Sequence, residues 1–427
     1  MRRALRSNII IYSFTALPVV LLIIGNPSLA DLSTYYAVLT ILAKITAFSG
    51  LALLAITVVL SSRIKTVDRI LGGLDTVYEI HHDKGKIAFV LLFLHPIFLA
   101  LREVDQILPF VKYFLPGRGL AIDLGKIALT LMAIALLISI YTEIDYEVLK
   151  KTHRSLGLFM LLGGFHAYLT RSNLYNIPIL RYYMMILLSI STLLYLNTSL
   201  FGNILAKKYK YRVRGVVRLS DTITKITMEP DDKALKFKPG QFILIRFKQE
   251  NFDEIHPFSI VSSPEEDNLS ICVKKLGDYT SRMHELEENT LAIIEGAYGG
   301  FLIKRTSREQ IWIAGGIGLT PFLSMLSLIN QQKLSVHLYY SYGDPGDDSL
   351  VDLIRERIMG DSVKLSVIDT REIGRITVER IIREYPDFRE KSYCICGPSA
   401  MNRDFEQKLS EAGVPIEQID LEYFKLL

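Results

Sequence analysis

Residues 153–166 read HRSLGLFMLLGGFH, an apolar run with a histidine at each end. The chain repeats this arrangement in residues 81–95, which read HHDKGKIAFVLLFLH. Ionisable side chains inside a membrane helix are costly and usually functional. The two segments therefore predict a membrane-spanning fold that contains a site built from histidines.

The apolar residues crowd into the first half of the chain. Half of the 427 residues are hydrophobic, and the mean hydropathy is +0.27. A helix needs ~20 apolar residues to cross a bilayer. Six stretches come close to that length: 8–25, 36–60, 85–101, 124–141, 154–170 and 180–200. The first resembles a signal peptide, but five more spans follow it, so we expect an uncleaved membrane helix.

Basic residues predict the direction of these spans, because inner loops of membrane proteins are enriched in Lys and Arg. The segments that are inner when the N-terminus is inside carry most of the basic residues, including Lys84, Lys86, Lys150 and Lys151. We therefore expect an integral membrane protein surrounded by lipid, with both termini in the cytoplasm. The net charge of +4 is too mild to predict nucleic-acid binding.

The pattern changes after the sixth span. Short alternating runs such as YRVRGVVRL, TITKITM and FILIRF predict an antiparallel β-barrel. Apolar strands then alternate with helical stretches, which predicts a parallel α/β sheet of the Rossmann type. We expect an all-α six-helix domain over 1–205, a barrel domain over 206–305 and an α/β domain over 306–427. The cysteines form no CxxC pair, so we expect buried, reduced thiols. They are Cys272, Cys394 and Cys396.

Helix geometry places the histidines at two heights. His81 and His95 are fourteen residues apart, which is about 40° short of four full turns and ~21 Å along the axis. His82 would point about 140° away from His95, so His81 is the better partner. His153 and His166 lie ~20 Å apart along their helix but align poorly in angle, so tilt or side-chain reach must supply the difference.

Both helices run from inside to outside, so His81 and His153 share an inner level, and His95 and His166 share an outer level. Two levels with two imidazoles each suit two six-coordinate haems. A single membrane histidine would as readily brace a neighbouring helix, and a zinc site is disfavoured because the levels are too far apart to share an ion. The backbone is open to a flat macrocycle at Gly157, Gly163 and Gly164.

Lys44 is a further ionisable residue inside a predicted span, in TILAKITAF. Its height is close to that of His95, so it could neutralise a propionate of the outer haem. A lysine that snorkels to the membrane surface explains its position equally well.

The C-terminal half contains candidate nucleotide sites. In HPFSIVSSP, residues 256–264, the ring of Phe258 and the hydroxyl of Ser259 could hold a flavin. The turn from Gly277 to Thr280 could open a helix whose amides bind a diphosphate. IWIAGGIGLTPFLSML, residues 311–326, is a strand, a glycine turn and a helix, the arrangement that binds a dinucleotide. Its candidates are Gly315, Gly316, Gly318, Thr320 and Pro321. A second strand-to-helix turn contains Cys396, Gly397 and Pro398.

At these motifs the chain resembles the superfamily of NADPH oxidases and ferric-chelate reductases. In that superfamily a ferric reductase-type transmembrane domain is fused to a ferredoxin–NADP reductase-like module. The likeness extends over essentially the whole chain and suggests a compact prokaryotic member in the cell membrane. It implies that a ligand histidine lies four residues before a glycine. His81 before Gly85 and His153 before Gly157 have this form.

The resemblance also assigns roles in the C-terminal half. HPFS, which includes Pro257, matches the flavin motif and implies that His256 lies near the flavin's phosphate or ribityl chain. GDYT matches the diphosphate turn, and GGIGLTP and CGP match the nicotinamide nucleotide site. Phe424 stands where an aromatic ring covers the flavin until nicotinamide displaces it. Phe424 and Cys396 are thus the catalytic candidates.

Two departures from the superfamily's pattern bear on substrates. Gly343 replaces an arginine that grips the 2′-phosphate of NADPH, although Arg371 or Arg375 could take its place. Leu99 stands where many oxidases have a second histidine beyond the outer ligand. The choice between NADH and NADPH, and between O2 and ferric iron as acceptor, therefore stays open.

Electron counting orders the implied cofactors. Nicotinamide gives two electrons as a hydride, haem iron takes one at a time, and FAD can stand between them. We expect a path from NAD(P)H through FAD and two b-type haems to O2, with a ferric chelate as the alternative acceptor and no obligate protein partner. The rival interpretations are a haem-free membrane-anchored flavin reductase and a transporter with a regulatory domain.

Overall fold

The computed structural model describes residues 2–26, 33–103, 115, 117–141, 146–170, 173–303, 307–358 and 360–422. In the first half of this described chain, each predicted span overlaps one long helix. The long helices are α1 (Arg2–Gly25), α2 (Tyr35–Ser61), α4 (Leu74–Ala100), α5 (Leu120–Tyr141), α6 (Tyr146–Leu169) and α8 (Pro178–Ser199). Two shorter helices, α3 (Lys65–Leu71) and α7 (Asn173–Asn176), lie between them.

Over the described residues, five of the long helices are long and apolar enough to cross a membrane. The helix that does not meet this criterion is α6, whose hydropathy is lowered by three glycines and by His153, Arg154 and His166. The helical half is thus of the membrane type, and the count of six crossings remains a prediction.

Helix α2 is the most buried of the helices long and apolar enough to span. Of its most apolar stretch 56% is buried, against 17–22% for the others. Small residues allow neighbouring helices to approach closely in the absence of a hydrophobic driving force. At Gly50, a Cβ atom would come within 2.9 Å of Cγ of Leu92 on α4. The close contact brings the backbone of α2 within reach of side chains on α4.

Six antiparallel strands follow in the order β4-β3-β6-β1-β2-β5. They are β1 (Lys208–Arg218), β2 (Ile223–Pro230), β3 (Phe242–Phe247), β4 (His256–Ser259), β5 (Leu269–Lys274) and β6 (Leu291–Tyr298). An isolated antiparallel bridge between Ile260 and Ile271 nearly closes this sheet into a barrel. Its interior is a cluster of buried apolar residues that includes Ile226 and Phe247. A short helix, α9 (Asp278–Ser281), follows β5.

The remaining strands form a parallel sheet in the order β11-β10-β7-β8-β9. They are β7 (Glu309–Gly315), β8 (Ser335–Tyr342), β9 (Val363–Asp369), β10 (Ser392–Cys396) and β11 (Ile419–Glu422). The connecting helices are α10 (Thr320–Met325), α11 (Ile329–Gln332), α12 (Ser349–Arg357), α13 (Val378–Glu384) and α14 (Ser399–Glu411). Because β7 and β10 are neighbours, the strand order reverses between them. Ligands of doubly wound sheets bind at such a reversal.

The chain divides into two compact units. One contains most of the residues before Leu205, and the other contains Gly72–Asp75 and Ala206–Leu427. The barrel and the parallel sheet thus belong to a single unit, and the boundary at 305/306 remains a prediction. All three cysteines are free and buried, which confirms the interpretation of their spacing. Burial raises the pKa of the Cys272 thiol to about 12.

Candidate functional site

The histidines of α4 and α6 form two facing pairs. The ring centres of His81 and His153 are 5.8 Å apart, and those of His95 and His166 are 6.4 Å apart. Imidazole nitrogen binds a first-row metal at about 2 Å, so two rings on opposite sides of one ion have centres roughly 6 Å apart. The spacing of both pairs therefore fits two axial ligands of one haem iron. His82 is exposed and belongs to neither pair.

Backbone carbonyls orient three of these four rings. The Nδ1 atoms of His81 and His95 lie 2.8 Å from the carbonyl oxygens of Thr57 and Ala43 on α2. Nδ1 of His166 lies 2.7 Å from the carbonyl oxygen of Ala121 on α5. A carbonyl only accepts, so each Nδ1 carries the proton and donates it. Nε2 is then the lone-pair nitrogen, as a metal ligand requires.

The fourth imidazole differs from the other three. Within the described part of the chain, His153 has no hydrogen bond to a carbonyl, and its side chain is exposed. The same described residues contain no group of three or more His, Cys, Asp and Glu side chains that could hold a metal ion.

The glycines of α6 do not act alike. A Cβ atom at Gly157 would come within 2.2 Å of the ring of Tyr195 on α8, so this glycine serves helix packing. At Gly164 the nearest atom is Cδ1 of Leu188 at 3.4 Å, and at Gly163 it is Cδ1 of Leu51 at 4.0 Å. Of the three expected approach points for a macrocycle, Gly163 has the most space.

Lys44 follows Ala43, whose carbonyl accepts from His95. It is half-buried, and it lies on α2 close to the outer imidazole pair. Its position is compatible with both expectations, a propionate partner and a snorkelling lysine. A second buried lysine, Lys84 on α4, donates to the hydroxyl of Tyr12 at 2.9 Å.

The HPFS segment is strand β4, which pairs with β3 at the edge of the barrel sheet. Ser259 is buried, whereas His256, Pro257 and Phe258 are half-buried. Phe258 packs at the margin of the barrel core. A half-buried ring beside a buried hydroxyl on an edge strand can offer one face to a planar ligand.

Tyr279 is a member of this site that the sequence did not single out. Its ring stacks on that of His256, with centroids 3.7 Å apart and an interplanar angle of 22°. Nε2 of His256 donates to Glu254 at 3.1 Å. Burial and the carboxylates of Glu254 and Asp253 raise the pKa of Tyr279, so its hydroxyl stays neutral. Tyr279 lies inside GDYT, which we interpreted only as a backbone turn.

The side chain of Thr280 organises the GDYT turn. Its Oγ1 accepts from the amides of Leu276 and Gly277, both at 3.0 Å. The amide of Gly277 already donates to Thr280, so only the amides after it are available for the expected contact with a diphosphate. A Cβ atom at Gly277 would meet nothing within 4 Å, so the turn is open on that side.

The two glycine turns of the parallel sheet meet at the reversal of strand order. A Cβ atom at Gly318 would come within 2.4 Å of the carbonyl oxygen of Cys396, and one at Gly397 would come within 3.1 Å of Gly315. Gly316 has φ +54°, which favours glycine. The hydroxyl of Thr320 donates to the carbonyl of Ile317 at 2.9 Å. The missing Cβ atoms bring the turns after β7 and β10 together.

Of the remaining residues of this site, Pro321 and Cys396 are buried, whereas Pro398 is exposed. Pro321 is buried in the first turn of α10, and Pro398 precedes α14. Cys396 is completely buried, and burial raises the pKa of its thiol, which therefore stays protonated. Phe424 lies outside the described residues.

A partly buried ion-pair cluster beside the first glycine turn was also missed. Nζ of Lys274 on β5 lies 2.6 Å from Asp344 and 2.7 Å from Asp347 in the segment after β8. Burial lowers the pKa of Lys274, but its hydrogen bonds to the two carboxylates outweigh that effect and raise it. The cluster links the barrel to the parallel sheet. The acidic run DPGDD was its only trace in the sequence.

Gly343 leaves the end of β8 without a cation. A Cβ atom there would come within 2.6 Å of the Thr370 hydroxyl. Arg371, one of the two possible substitutes, forms an ion pair with Asp369 at the end of β9, and its Nε donates at 2.9 Å. No ion pair to Arg375 is found in the described part of the chain. Arg375 is therefore more available than Arg371 to bind a 2′-phosphate.

Two family models match the chain. Residues 46–164 match a ferric reductase like transmembrane component, and residues 208–345 match an FAD-binding domain. The first match contains His81, His95 and His153, and it ends two residues before His166. The second contains β1 to β8, including HPFS and GDYT, and ends at Pro345.

Similar proteins align with part of the chain. A flavohemoprotein from Xylella fastidiosa is 26% identical over 222 residues, which are 48% of this chain and 56% of that protein. Dual oxidase 2 from Rattus norvegicus is 27% identical over 169 residues, 35% of this chain and 11% of that protein. The chain spans about half the length of the flavohemoproteins that it matches.

Solved structures also cover about half of the chain. The flavohem-like FAD/NAD-binding domain of a nitric oxide dioxygenase from Vibrio cholerae is 21% identical, with a TM-score of 0.45, and covers 51% of this chain and 98% of that domain. The chain thus joins a ferric reductase-like membrane component to an FAD-binding module, and part of it is similar to a dual oxidase. In this domain composition, the chain matches the superfamily of NADPH oxidase- and ferric reductase-like oxidoreductases.

Proposed function

We propose that this chain passes electrons from NAD(P)H through FAD and two b-type haems to an acceptor on the opposite side of the membrane. The observation that carries this proposal is the pair of imidazole levels. Each level has two facing rings at the separation of axial ligands, and three of the four rings donate Nδ1–H to a backbone carbonyl.

In this proposal the membrane helices hold the haems. His81 and His153 are the ligands of the inner haem, and His95 and His166 are those of the outer haem. The carbonyls behind three of these rings fix the tautomer and increase the basicity of Nε2. Lys44 serves a propionate of the outer haem through its ammonium group.

The barrel binds FAD. Phe258 covers one face of the ring system, the buried hydroxyl of Ser259 offers a hydrogen bond, and Pro257 keeps β4 extended between them. His256, already held by Tyr279 and Glu254, lies towards the phosphate or ribityl end. The turn from Gly277 to Thr280 receives the diphosphate through its later amides.

The parallel sheet binds NAD(P)H at the reversal of its strand order. The turn after β7 approaches the pyrophosphate through backbone made accessible by glycine. Its residues are Gly315, Gly316, Gly318, Thr320 and Pro321. Gly397 and Pro398 form the facing turn, next to the nicotinamide. Cys396 packs there as a neutral thiol, and Phe424 covers the flavin until nicotinamide arrives.

The bound groups supply the chemistry: nicotinamide gives a hydride, flavin accepts two electrons and releases them singly, and haem iron carries one. The protein contributes separate, fixed positions for them, with the N- and C-termini in the cytoplasm and the outer haem facing the other side. O2 reduced to superoxide is the first acceptor. A ferric chelate is the alternative acceptor. It stays in consideration because Leu99, one turn beyond His95, provides no polar group for oxygen.

An assay with two acceptors tests this function. Purified full-length chain in lipid vesicles receives NADH or NADPH, and superoxide and ferrous iron are measured separately. Formation of either product with donor and acceptor on opposite sides of the membrane supports the proposal and identifies the acceptor. Donor oxidation with neither product, in a protein without haem absorption, would favour a haem-free flavin reductase.

A further inference from the structure

The ring of His166 lies directly against Gly125 of α5. A Cβ atom added at Gly125 would come within 2.7 Å of both Cγ and Nδ1 of His166, and within 2.9 Å of its Cε1. The three atoms are consecutive in the imidazole ring, so the contact is with the part of the ring that contains Nδ1. Ordinary contact begins at about 3.4 Å, so a methyl group would force the ring back by about 0.7 Å.

The hydrogen bond of His166 explains this contact. Nδ1 donates to the carbonyl of Ala121, which lies four residues before Gly125 on α5. In an α-helix the Cα–Cβ bond tilts towards the N-terminus, so a side chain covers the turn before its own residue. A side chain at 125 would cover the carbonyl of Ala121. Glycine leaves that carbonyl open to a donor from another helix.

The other two oriented imidazoles donate to carbonyls that are followed by small side chains instead of glycine. His95 donates to Ala43, and four residues later α2 carries Ala47. His81 donates to Thr57, and four residues later α2 carries Ser61. A Cβ atom at the fourth position is therefore compatible with such a hydrogen bond. At Gly125 it is the contact with the ring of His166 itself that leaves no room for one.

We propose that Gly125 is a positioning residue for the outer imidazole pair. By lacking a Cβ atom, it allows His166 to donate Nδ1–H to Ala121 while its Nε2 is directed towards His95. The ring cannot retreat from a methyl group without lengthening that hydrogen bond or changing its distance and angle to His95. This inference rests on the proposed haem sites and extends them to a residue that is not itself a ligand.

The test compares Gly125→Ala with Val90→Ile in purified full-length protein. Both changes add one carbon to a long helix of the same bundle, but Val90 is 55% exposed on α4 and belongs to neither imidazole pair. Haem per chain is measured by pyridine haemochrome. The ferric EPR spectrum is recorded because low-spin haem signals depend on the angle between the imidazole planes, which is 63° for the inner pair and 60° for the outer.

We expect Gly125→Ala to shift or remove one of two low-spin signals and to weaken binding of that haem by roughly tenfold or more. The other signal stays, and Val90→Ile keeps both. Two unchanged signals and full haem content in Gly125→Ala would overturn the inference. A wild-type protein without haem would instead overturn the proposed function.

A double variant covers the case in which Gly125→Ala does not fold. The added methyl group conflicts with the His166 ring, so His166→Ala should remove the conflict. We expect His166→Ala/Gly125→Ala to recover the yield and the single-haem spectrum of His166→Ala alone. A double variant that still fails to fold while His166→Ala folds would contradict the inference, because the conflict would then lie elsewhere.

Discussion

In the helical half, the candidate site is made of side chains from helices far apart in sequence, whereas in the C-terminal half it is made of turns in which side chains are missing. His166 is held by a carbonyl 45 residues away, and His95 by one 52 residues away. The nucleotide turns need no such hydrogen bond, because the absent Cβ atoms of Gly315, Gly318 and Gly397 let the turns after β7 and β10 pack directly against each other.

The difference indicates how each half responds to substitution. An axial ligand is a single atom, so its loss removes a cofactor. A glycine turn or a stacking ring contributes one part of an extended contact, so its loss changes affinity by degrees. Each half should also keep its own cofactor when the other is altered, because each belongs to a separate compact unit.

The largest effect is expected from the axial ligands. His166→Leu should remove the outer haem and leave the inner one reducible by NAD(P)H. His153→Leu should prevent electrons from leaving the flavin. Haem content and anaerobic reduction spectra measure both results. His82→Leu is the matched control, because His82 is exposed and faces neither pair, and it should keep both haems. Two haems with unchanged spectra after each ligand substitution would break the comparison.

Donor preference should change by a smaller factor. Gly343 has no charge for a 2′-phosphate, so we expect NADH and NADPH to differ by less than about tenfold in kcat/KM. Gly343→Arg should move preference towards NADPH by roughly one to two powers of ten, since a charge-assisted hydrogen bond contributes ~1.5–3 kcal/mol. Steady-state kinetics with both donors measures the shift.

Arg375→Ala and Arg371→Ala are the controls for that experiment. If the wild type already prefers NADPH by a hundredfold or more, one of these arginines holds the phosphate, and its removal will abolish the preference. Arg375 is the stronger candidate, because Arg371 is bound to Asp369.

A several-fold effect is expected at the flavin ring. Phe258→Leu keeps apolar volume but removes the aromatic face, and such stacking contributes ~0.5–1.5 kcal/mol beyond buried area. FAD affinity should fall several-fold in a fluorescence titration while haem content stays the same. Phe237→Leu is the control, because Phe237 is another partly buried ring that packs on the same barrel core and lies outside the HPFS segment. Equal FAD affinity in all three proteins would remove Phe258 from the site.

The smallest effect is expected from His337, which is buried in β8 and should affect stability instead of turnover. It contacts the Tyr385 hydroxyl at 2.6 Å and the Ser366 hydroxyl at 2.8 Å. Burial lowers its pKa to about 4, below the ordinary 6.5. Its contribution to stability is therefore complete above pH 6.5 and is lost as the pH falls towards 4. The loss is at most ~3 kcal/mol.

Fluorescence of Trp312 reports on this sheet, because it is the single tryptophan of the chain and is buried in β7. The unfolding midpoint of the wild type should decrease as the pH is lowered from 6.5 to 4, and the midpoint of His337→Gln should decrease less. Parallel pH profiles of the two proteins would show that His337 does not titrate with folding.

Much of this architecture could be predicted from local sequence. Apolar runs located the six long helices, alternation located the barrel strands, and helix rise gave the two histidine levels. The angular argument chose His81 over His82, and the structure has His81 opposite His153. The same argument could not place His153 and His166 on one face of α6, because the tilt of α6 relative to α4 cannot be read from the sequence.

The parts that escaped prediction depend on contacts between distant segments. The carbonyls of Thr57, Ala43 and Ala121 are backbone atoms, so no residue type marks them. Tyr279 lies inside the GDYT turn, where no local pattern indicates that its ring would stack on that of His256. Lys274 lies 70 residues from Asp344, and only the packing of the barrel on the parallel sheet joins them.

The central claim is that two haems, each held by a pair of histidines, receive electrons from a flavin in the same chain. Anaerobic mixing of the purified protein with NADH or NADPH, followed by time-resolved absorption, tests it directly. The account predicts two haems per FAD, loss of flavin absorbance first, and then the sharp absorption of reduced six-coordinate haem. A preparation that binds FAD and oxidises the donor, but shows no haem absorption or leaves its haem oxidised, would contradict it.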